Sequence, residues 1–176
     1  MNRRQLVKFA AVSAVAVVGT GYWAIPTGTA PGALSLQGAQ QVLAGLVAKQ
    51  LVSLKGWSPA EVFNHCAQSI EYSISGYPEL KSAWFRHSVG PLAFSVFVAR
   101  GAMRHPLDEV IPGAALLSEP ASQVLALQRL QQAFADFASH QGELQPHFAY
   151  GSLSHADYAQ AHVLHLYNHL SLIRLA

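Results

Sequence analysis

The sequence predicts an all-α protein, and three observations support this prediction. Apolar residues recur at intervals of three and four along several segments, which is the spacing of a helix with one buried face. Two segments start with a serine followed three residues later by an acidic residue, a helix-capping pattern. Hydrophobic residues make up 51% of the chain and charged residues 11%, against about 25% charged in an average protein. A compact, helix-rich protein with little surface charge is therefore expected.

The first 33 residues differ from the rest of the chain. Arg3 and Arg4 precede Leu6 and Lys8, and residues 9–25 contain no charged side chain. This pattern resembles a bacterial twin-arginine (Tat) signal, which is read by an export receptor. The apolar run is at the short limit for spanning ~30 Å of bilayer hydrocarbon, so a cleaved signal and an uncleaved anchor both remain open. We expect a periplasmic protein, free or anchored to the periplasmic face of the inner membrane.

Residues 34–176 are predicted to form one domain. The formal net charge is +2, but three basic residues, Arg3, Arg4 and Lys8, lie in the signal-like segment. No basic run remains in the domain, so nucleic-acid binding is not expected. The single cysteine, Cys66, excludes an intramolecular disulfide and is interpreted as a small core residue. A metal site would therefore use mainly histidine and carboxylate ligands.

The first half of the domain is predicted to contain two amphipathic helices and an apolar helical segment. Apolar residues predict a helix over residues 36–54, ended by Gly56. Ser58, followed by Pro59 and Glu61, then starts a helix that runs to about residue 74. Residues 84–103 are strongly apolar but contain Gly90-Pro91, which predicts two short buried helices or one kinked helix.

A connection punctuated by proline follows, over residues 104–118. Connections of this length in a compact domain are usually functional or packed across the core, so this one is placed to cover a pocket. His105, Asp108 and Glu109 are interpreted here as solvated loop residues, in preference to residues that line such a pocket.

Two further helices complete the domain. The first is predicted to open at Ser118-Glu119-Pro120 and to end at Gly142. The last begins at Ser154, with Asp157 as an aspartate version of the capping box. Ser154, His155 and Asp157 are too crowded at one helix start to form the nucleophile, base and orienting residue of a hydrolase.

The last helix carries a histidine pair with metal-ligand spacing. At about 100° of rotation per residue, His165 and His169 lie about 40° apart on one apolar face. An unpaired buried polar group costs about 1–3 kcal/mol, so the two rings need partners. A shared metal ion or ordinary core hydrogen bonds would supply them. His162 is a third ligand, a neighbour of the ligands or a polar edge residue.

His65 is the fourth histidine of interest, and its helix position is unusual. It lies about 130° from the centre of the apolar stripe formed by Val62, Phe63, Cys66 and the isoleucines after them. Such a position suits a side chain at the edge of a cleft.

Two motifs together resemble the DinB/YfiT-like metal-binding four-helix bundles, in a branch of uncharacterised domains. One is Trp57-Ser58-Pro59-Ala60 followed by His65, and the other is the His-x-x-x-His pair in a frame that runs from Leu153 to Leu170. The resemblance covers roughly residues 36–175. It implies a bundle with an extra apolar helical segment and a long connection between helices 2 and 3. Asn168 replaces a histidine common in that branch, and Ser171-Leu172 replaces a polar pair.

The resemblance also implies a site and a function. The metal ligands would be His65, His165 and His169, surrounded by His162, Tyr72 and Asn168. Zinc is the first expectation, with nickel or iron as alternatives. The implied protein is a metal-dependent enzyme that activates a thiol or water toward an unidentified small molecule, or else a non-catalytic metal-binding or structural bundle. A dimer is compatible with either.

Overall fold

A computed structural model describes residues 34–117 and 122–176 of the 176-residue chain. The signal-like segment over residues 1–33 lies outside the described residues, so the prediction of a Tat signal or anchor stays a prediction. Among the described residues, no helix is both long and apolar enough to cross a membrane.

The described residues are mostly helical, as predicted. The helices are α1 (Leu36–Gly45), α2 (Pro59–Ser75), α3 (Ala83–His87), α4 (Val89–Arg100), α5 (Gln123–Ser139) and α6 (His155–Leu170). Two strands, β1 (Leu51–Ser53) and β2 (Ile173–Leu175), pair antiparallel, with Leu51 opposite Leu175.

One core lies between α1, α2, α5 and α6. Phe63 of α2, Leu130 and Phe134 of α5 and Leu166 of α6 have no exposed surface. Burial of such side chains stabilises a fold by about 1.5–3 kcal/mol each, which accounts for the close packing of these helices. On the outside of the α2–α5 pair, the Arg129 guanidinium donates two hydrogen bonds to the Glu71 carboxylate, at 2.8 and 2.6 Å.

Both predicted capping boxes are confirmed. The Ser58 hydroxyl accepts from the Glu61 backbone N–H at 3.3 Å, and the Glu61 carboxylate accepts from the Ser58 N–H at 2.7 Å. Ser154 and Asp157 form the same reciprocal pair at the start of α6. These caps determine where α2 and α6 begin, and therefore where their histidines lie.

The predicted helix over residues 36–54 is too long. The helix ends at Gly45, and Ala48 has a φ of 60°, a left-handed conformation that a helix does not contain. Leu51 is buried in β1, opposite the strand that follows α6. Val47 and Ala48 therefore lie in a turn and Leu51 and Val52 in a strand, whose partner more than a hundred residues away is not visible in the local pattern.

The apolar segment forms two helices, as one of the two alternatives predicted, but they are not buried. Ser88 separates α3 from α4, and Trp84 is 71% exposed. Only Gly90 and Phe94 of α4 are buried. Gly90 is required at its position because an added Cβ would lie 1.8 Å from the Ala149 carbonyl oxygen.

The connection after α4 is confirmed as non-helical over its described part, and the helix after it is shorter than predicted. The N-cap of α5 is Ser122, whose hydroxyl accepts from the Leu125 N–H at 3.1 Å. The predicted start at residues 118–120 lies outside the described residues. The helix ends at Ser139, before Gly142. Inside the connection, Met103 and Ile111 are buried against the helices.

Candidate metal centre

Three histidines meet where α2 packs against α6. His165 and His169 lie one turn apart on α6, and His65 faces them from α2. The Nε2 atom of His165 lies 3.2 Å from Nε2 of His65 and 3.0 Å from Nε2 of His169. Ligands bound at ~2.0–2.1 Å in a tetrahedron lie about 3.3–3.4 Å apart, so these separations are close to those around one zinc ion.

Packing, more than hydrogen bonding, holds the rings of this cluster. The Trp57 ring lies parallel to His169 with 6.1 Å between ring centres, and 4.8 Å from the ring of His65. Among the described residues, Nδ1 of His65 and Nδ1 of His169 have no hydrogen-bond partner, although both are buried. Metal-bound histidines usually donate this second N–H to a carbonyl or carboxylate. In this cluster the Trp57 ring lies beside both rings where such a partner is missing.

The cluster is held electrically neutral. Desolvation, and then the nearby His105, lower the pKa of His65 to about 4. Desolvation, followed by repulsion from His65 and His105, lowers the pKa of His169 to about 2. The pKa of His165 also falls well below its usual value, for the same reasons. At neutral pH the three rings are therefore uncharged, as metal ligands must be.

Neutral rings in this arrangement cannot satisfy one another. Each neutral imidazole carries one proton, and Nε2 of His165 lies within hydrogen-bond distance of two other Nε2 atoms. That nitrogen either donates to one neighbour or accepts from one, so at least one close Nε2 pair is left without a good hydrogen bond. A cation among the three lone pairs would satisfy all of them, so the donor set fits a divalent metal ion.

A cavity of about 200 Å³ opens beside the cluster. Ring contacts divide the lining histidines into two groups, which we call the two ends of the cavity. At the near end, His65 and His105 both contact His165, and at the far end, His147 and His162 both contact Tyr158. Apolar and aromatic side chains form most of the wall between them: Met103, Val110, Ile111, Phe148 and Tyr150. The size and lining suit a small molecule.

A family model described as a protein of unknown function (DUF1569) matches residues 34–175. The chain belongs to the DUF1569 family. The DUF1569 segment contains the three-histidine cluster, both capping boxes and every residue that lines the cavity. The chain matches no curated protein and no solved structure.

Within the DUF1569 segment, the two histidines at the far end of the cavity, His147 and His162, each form hydrogen bonds with other residues. His147 and Gly151 exchange backbone hydrogen bonds at 2.8 and 3.2 Å, and Gly151 has a φ of 75°, which favours glycine. The backbone N–H groups of Ala149 and Tyr150 both donate to Nδ1 of His147 at 3.1 Å. Nδ1 of His147 therefore carries no proton, and Nε2 does.

His162, predicted as a third ligand, a neighbour of the ligands or a polar edge residue, forms a hydrogen bond with Ser73, and its role around the ligands stays a prediction. The Ser73 hydroxyl donates to the Ile70 carbonyl at 2.6 Å, so its oxygen is free to accept from Nε2 of His162, 3.2 Å away. Burial lowers the pKa of His162 to about 3. His162 therefore lies in the cavity wall, and its Nε2–H donates a hydrogen bond to the Ser73 hydroxyl.

Tyr72 and Asn168, also predicted to surround the ligands, lie in other contacts. The Tyr72 hydroxyl accepts from the Gln68 amide at 3.4 Å, and its ring packs near Tyr77. The Asn168 side-chain nitrogen is buried without a hydrogen-bond partner among the described residues. Neither Tyr72 nor Asn168 lines the cavity, and their roles around the ligands stay predictions.

His105 is where the sequence interpretation was wrong. It was taken for a solvated loop residue, but its ring lies 5.1 Å from both His165 and His169, measured between ring centres. Asp108 and Glu109 are exposed as expected, and Glu109 also lines the cavity. No periodicity marks a loop residue, so the only signal in the sequence is that His105 lies between Met103 and Ile111, two apolar residues that could anchor the connection.

Proposed function

We propose that this chain binds one divalent metal ion through His65, His165 and His169 and uses it to activate water or a thiol toward a small molecule in the adjoining cavity. The observation that carries the proposal is the meeting of three neutral Nε2 atoms, 3.0 and 3.2 Å apart in two of the pairs, that cannot satisfy one another. The three candidate donor atoms all lie within 4.8 Å of one another.

Three imidazoles leave one or more coordination positions of zinc free, as in catalytic sites. When bound, such an ion supplies Lewis acidity, which lowers the pKa of water to about 7 or keeps a thiol ionised. Zinc is our first candidate for the ion, with nickel or iron as alternatives that the same ligands accept.

The chain's own residues would position the substrate. The apolar wall of the cavity, which includes Met103 and Phe148, would exclude water from an apolar part of the molecule. At the far end, Nε2–H of His147 is available as a donor, because Nδ1 already accepts two backbone hydrogen bonds. A small molecule with an acceptor group opposite its reacting end would suit this arrangement.

We also propose that the domain is a DinB/YfiT-type bundle exported through a twin-arginine signal. The packing of α1, α2, α5 and α6 around one core supports the first part. The paired arginines before an uncharged run support the second. A reporter protein fused after residue 33 tests export: we expect periplasmic activity that is lost when Arg3 and Arg4 are both replaced by lysine.

The central test is metal analysis of protein purified from its native host, repeated on His165→Ala. We expect about one metal ion per chain in the natural protein and none in the variant, with the helical circular dichroism unchanged. Absence of metal from the natural protein, combined with failure to bind added zinc, would overturn the proposal.

A non-catalytic metal-binding or structural bundle is the second candidate. The burial of the cluster favours it, since His65 and His169 are 3% and 1% exposed and a substrate has little access to a metal ion held between them. Loss of the fold on removal of the metal would support this candidate. Retention of the fold, with loss of a detected activity, would support the enzyme.

A further inference from the structure

His105 has the chemistry of a metal ligand. Its Nδ1 lies 2.6 Å from the Pro106 carbonyl oxygen, and a carbonyl can only accept, so Nδ1 of His105 carries the proton. Nε2 is then the nitrogen with the free lone pair. That atom is buried and has no hydrogen-bond partner among the described residues. An N–H bonded to a backbone carbonyl is the arrangement that prepares the opposite nitrogen of a histidine for a metal.

The His105 ring also lies close to two of the three rings of the cluster, those of His165 and His169. Between ring centres, it is 5.1 Å from His165 and 5.1 Å from His169, while rings inside the cluster lie 4.6–5.0 Å apart. Imidazoles around one tetrahedral zinc ion have ring centres about 5 Å apart, given ligand distances of ~2.0–2.1 Å. His105 therefore continues the cluster by one ring.

The connection holds His105 in place from both sides. Met103 precedes it and is 6% exposed, and Ile111 follows it and is 2% exposed. Both side chains pack into the domain and also line the cavity. The position of the His105 ring follows from these two anchors, since the segment between them is short.

We propose that His105 is the fourth protein ligand of the metal ion and that metal binding fastens the connection to the bundle. The proposal rests on the proposed function, because it needs the ion at the three-histidine cluster. His105 is the only one of the four ligands that lies on a connection and not on a helix, so it is the ligand best able to leave when a small molecule enters the cavity.

Cobalt(II) titration of the purified protein tests the assignment, because visible absorption reports the number and type of ligands. The natural protein is compared with His105→Ala, His105→Cys and the control His87→Ala, which alters an exposed histidine away from the cavity. Circular dichroism checks that each variant keeps its helices.

We expect His105→Ala to bind cobalt at least about tenfold more weakly than the natural protein, with a changed visible spectrum because one ligand is lost. His105→Cys is expected to recover tighter binding and to gain the near-ultraviolet charge-transfer band of a cobalt–thiolate bond. His87→Ala should match the natural protein.

Two results would overturn the assignment, and they are distinguishable. If the natural protein and His105→Ala bind cobalt with equal affinity and the same spectrum, and His105→Cys shows no thiolate band, His105 is not a ligand and the three-histidine site stands. If the natural protein binds no cobalt, the proposed function itself fails.

Discussion

The two ends of the cavity contain the same side chain in opposite states. At one end, His147 accepts two backbone hydrogen bonds and His162 donates one to Ser73. At the other end, Nε2 atoms of His65, His165 and His169 approach one another without such partners. Both groups are buried and have lowered pKa values, so burial does not distinguish them. What distinguishes them is the partner of the ring nitrogens: His147 and His162 each bond to a backbone or hydroxyl group through one nitrogen, whereas the Nε2 atoms of the cluster approach one another.

This difference separates a structural histidine from a ligand. A buried imidazole whose nitrogens have protein partners stabilises the fold and gains little from a metal. A group of imidazoles whose lone pairs converge is incomplete without a cation. The predictions below test this distinction, beginning with the largest expected effect.

Acid should destabilise the metal-free protein strongly, because both ends of the cavity are held neutral. Burial lowers the pKa of His65 to about 4 and that of His162 to about 3, whereas both titrate near 6.5 in the unfolded chain. Below pH 6.5 the unfolded state therefore binds more protons, and stability falls as pH falls toward these lower values. Each such histidine removes up to about 1.4 kcal/mol per pH unit.

Urea unfolding at a series of pH values measures this effect. The slope of the unfolding free energy against pH reports how many protons the protein takes up on unfolding. His65→Gln and His162→Gln should each reduce that number by about one in this pH range. A stability that stays constant from pH 7 to pH 4.5 would contradict the neutral, buried state of both groups.

Replacing one histidine at each end of the cavity should show most clearly how the two ends differ. His65→Ala is expected to weaken zinc binding by about 1,000-fold, or about 4 kcal/mol, because one of the three ligands held on helices is lost. His162→Ala should leave zinc affinity nearly unchanged and instead lower the unfolding free energy by about 1–3 kcal/mol. Isothermal titration calorimetry and denaturant unfolding measure the two effects. Equal loss of affinity in both variants would mean that His162 belongs to the metal site.

Zinc itself should stabilise one end of the cavity. At a free concentration 100 times its dissociation constant, zinc is expected to add about 2.7 kcal/mol to the unfolding free energy. Hydrogen exchange should show added protection in α2 and α6 around His65 and His165, and little change in the turn over residues 147–151. Uniform protection of both regions, or none, would contradict a localised site.

Loss of the Trp57 ring should have the smallest effect. Trp57→Leu removes the surface that packs on His65 and His169, so zinc affinity is expected to fall by about tenfold, as for other residues that orient ligands. Phe148→Leu, which removes an aromatic ring of the cavity wall that contacts His147, serves as the matched control and should leave zinc affinity unchanged. Calorimetric titration of both variants checks the comparison, and an unchanged affinity in Trp57→Leu would show that the rings are held without it.

Local sequence patterns predicted the features that depend on near neighbours. The capping boxes at Ser58 and Ser154 and the shared face of His165 and His169 each involve residues within four positions, so helix geometry alone implied them. The role of Cys66 as a core residue followed from the apolar stripe of α2 and is confirmed by its 2% exposure. The placement of His65 beside the pair followed from the family resemblance, since its periodicity marked only a cleft edge.

Patterns that depend on distant partners were missed. The strand at Leu51 was assigned to a helix because its partner, Leu175, lies after α6. The helices α3 and α4 were expected in the interior because they are apolar, yet only the packing of the whole domain decides which apolar helices remain outside. His147 received no role, since a turn in the cavity wall has no periodic signature.

By itself, the sequence determined the helical class, the starts of α2 and α6 and the spacing of the histidine pair, because each depends on contacts within one or two helical turns. Only the tertiary structure decided that His65 meets a residue one hundred positions away, and that His105 joins them from a connection without regular structure. The physical reason is that burial and unsatisfied lone pairs belong to the packed domain. No local pattern of residues specifies them.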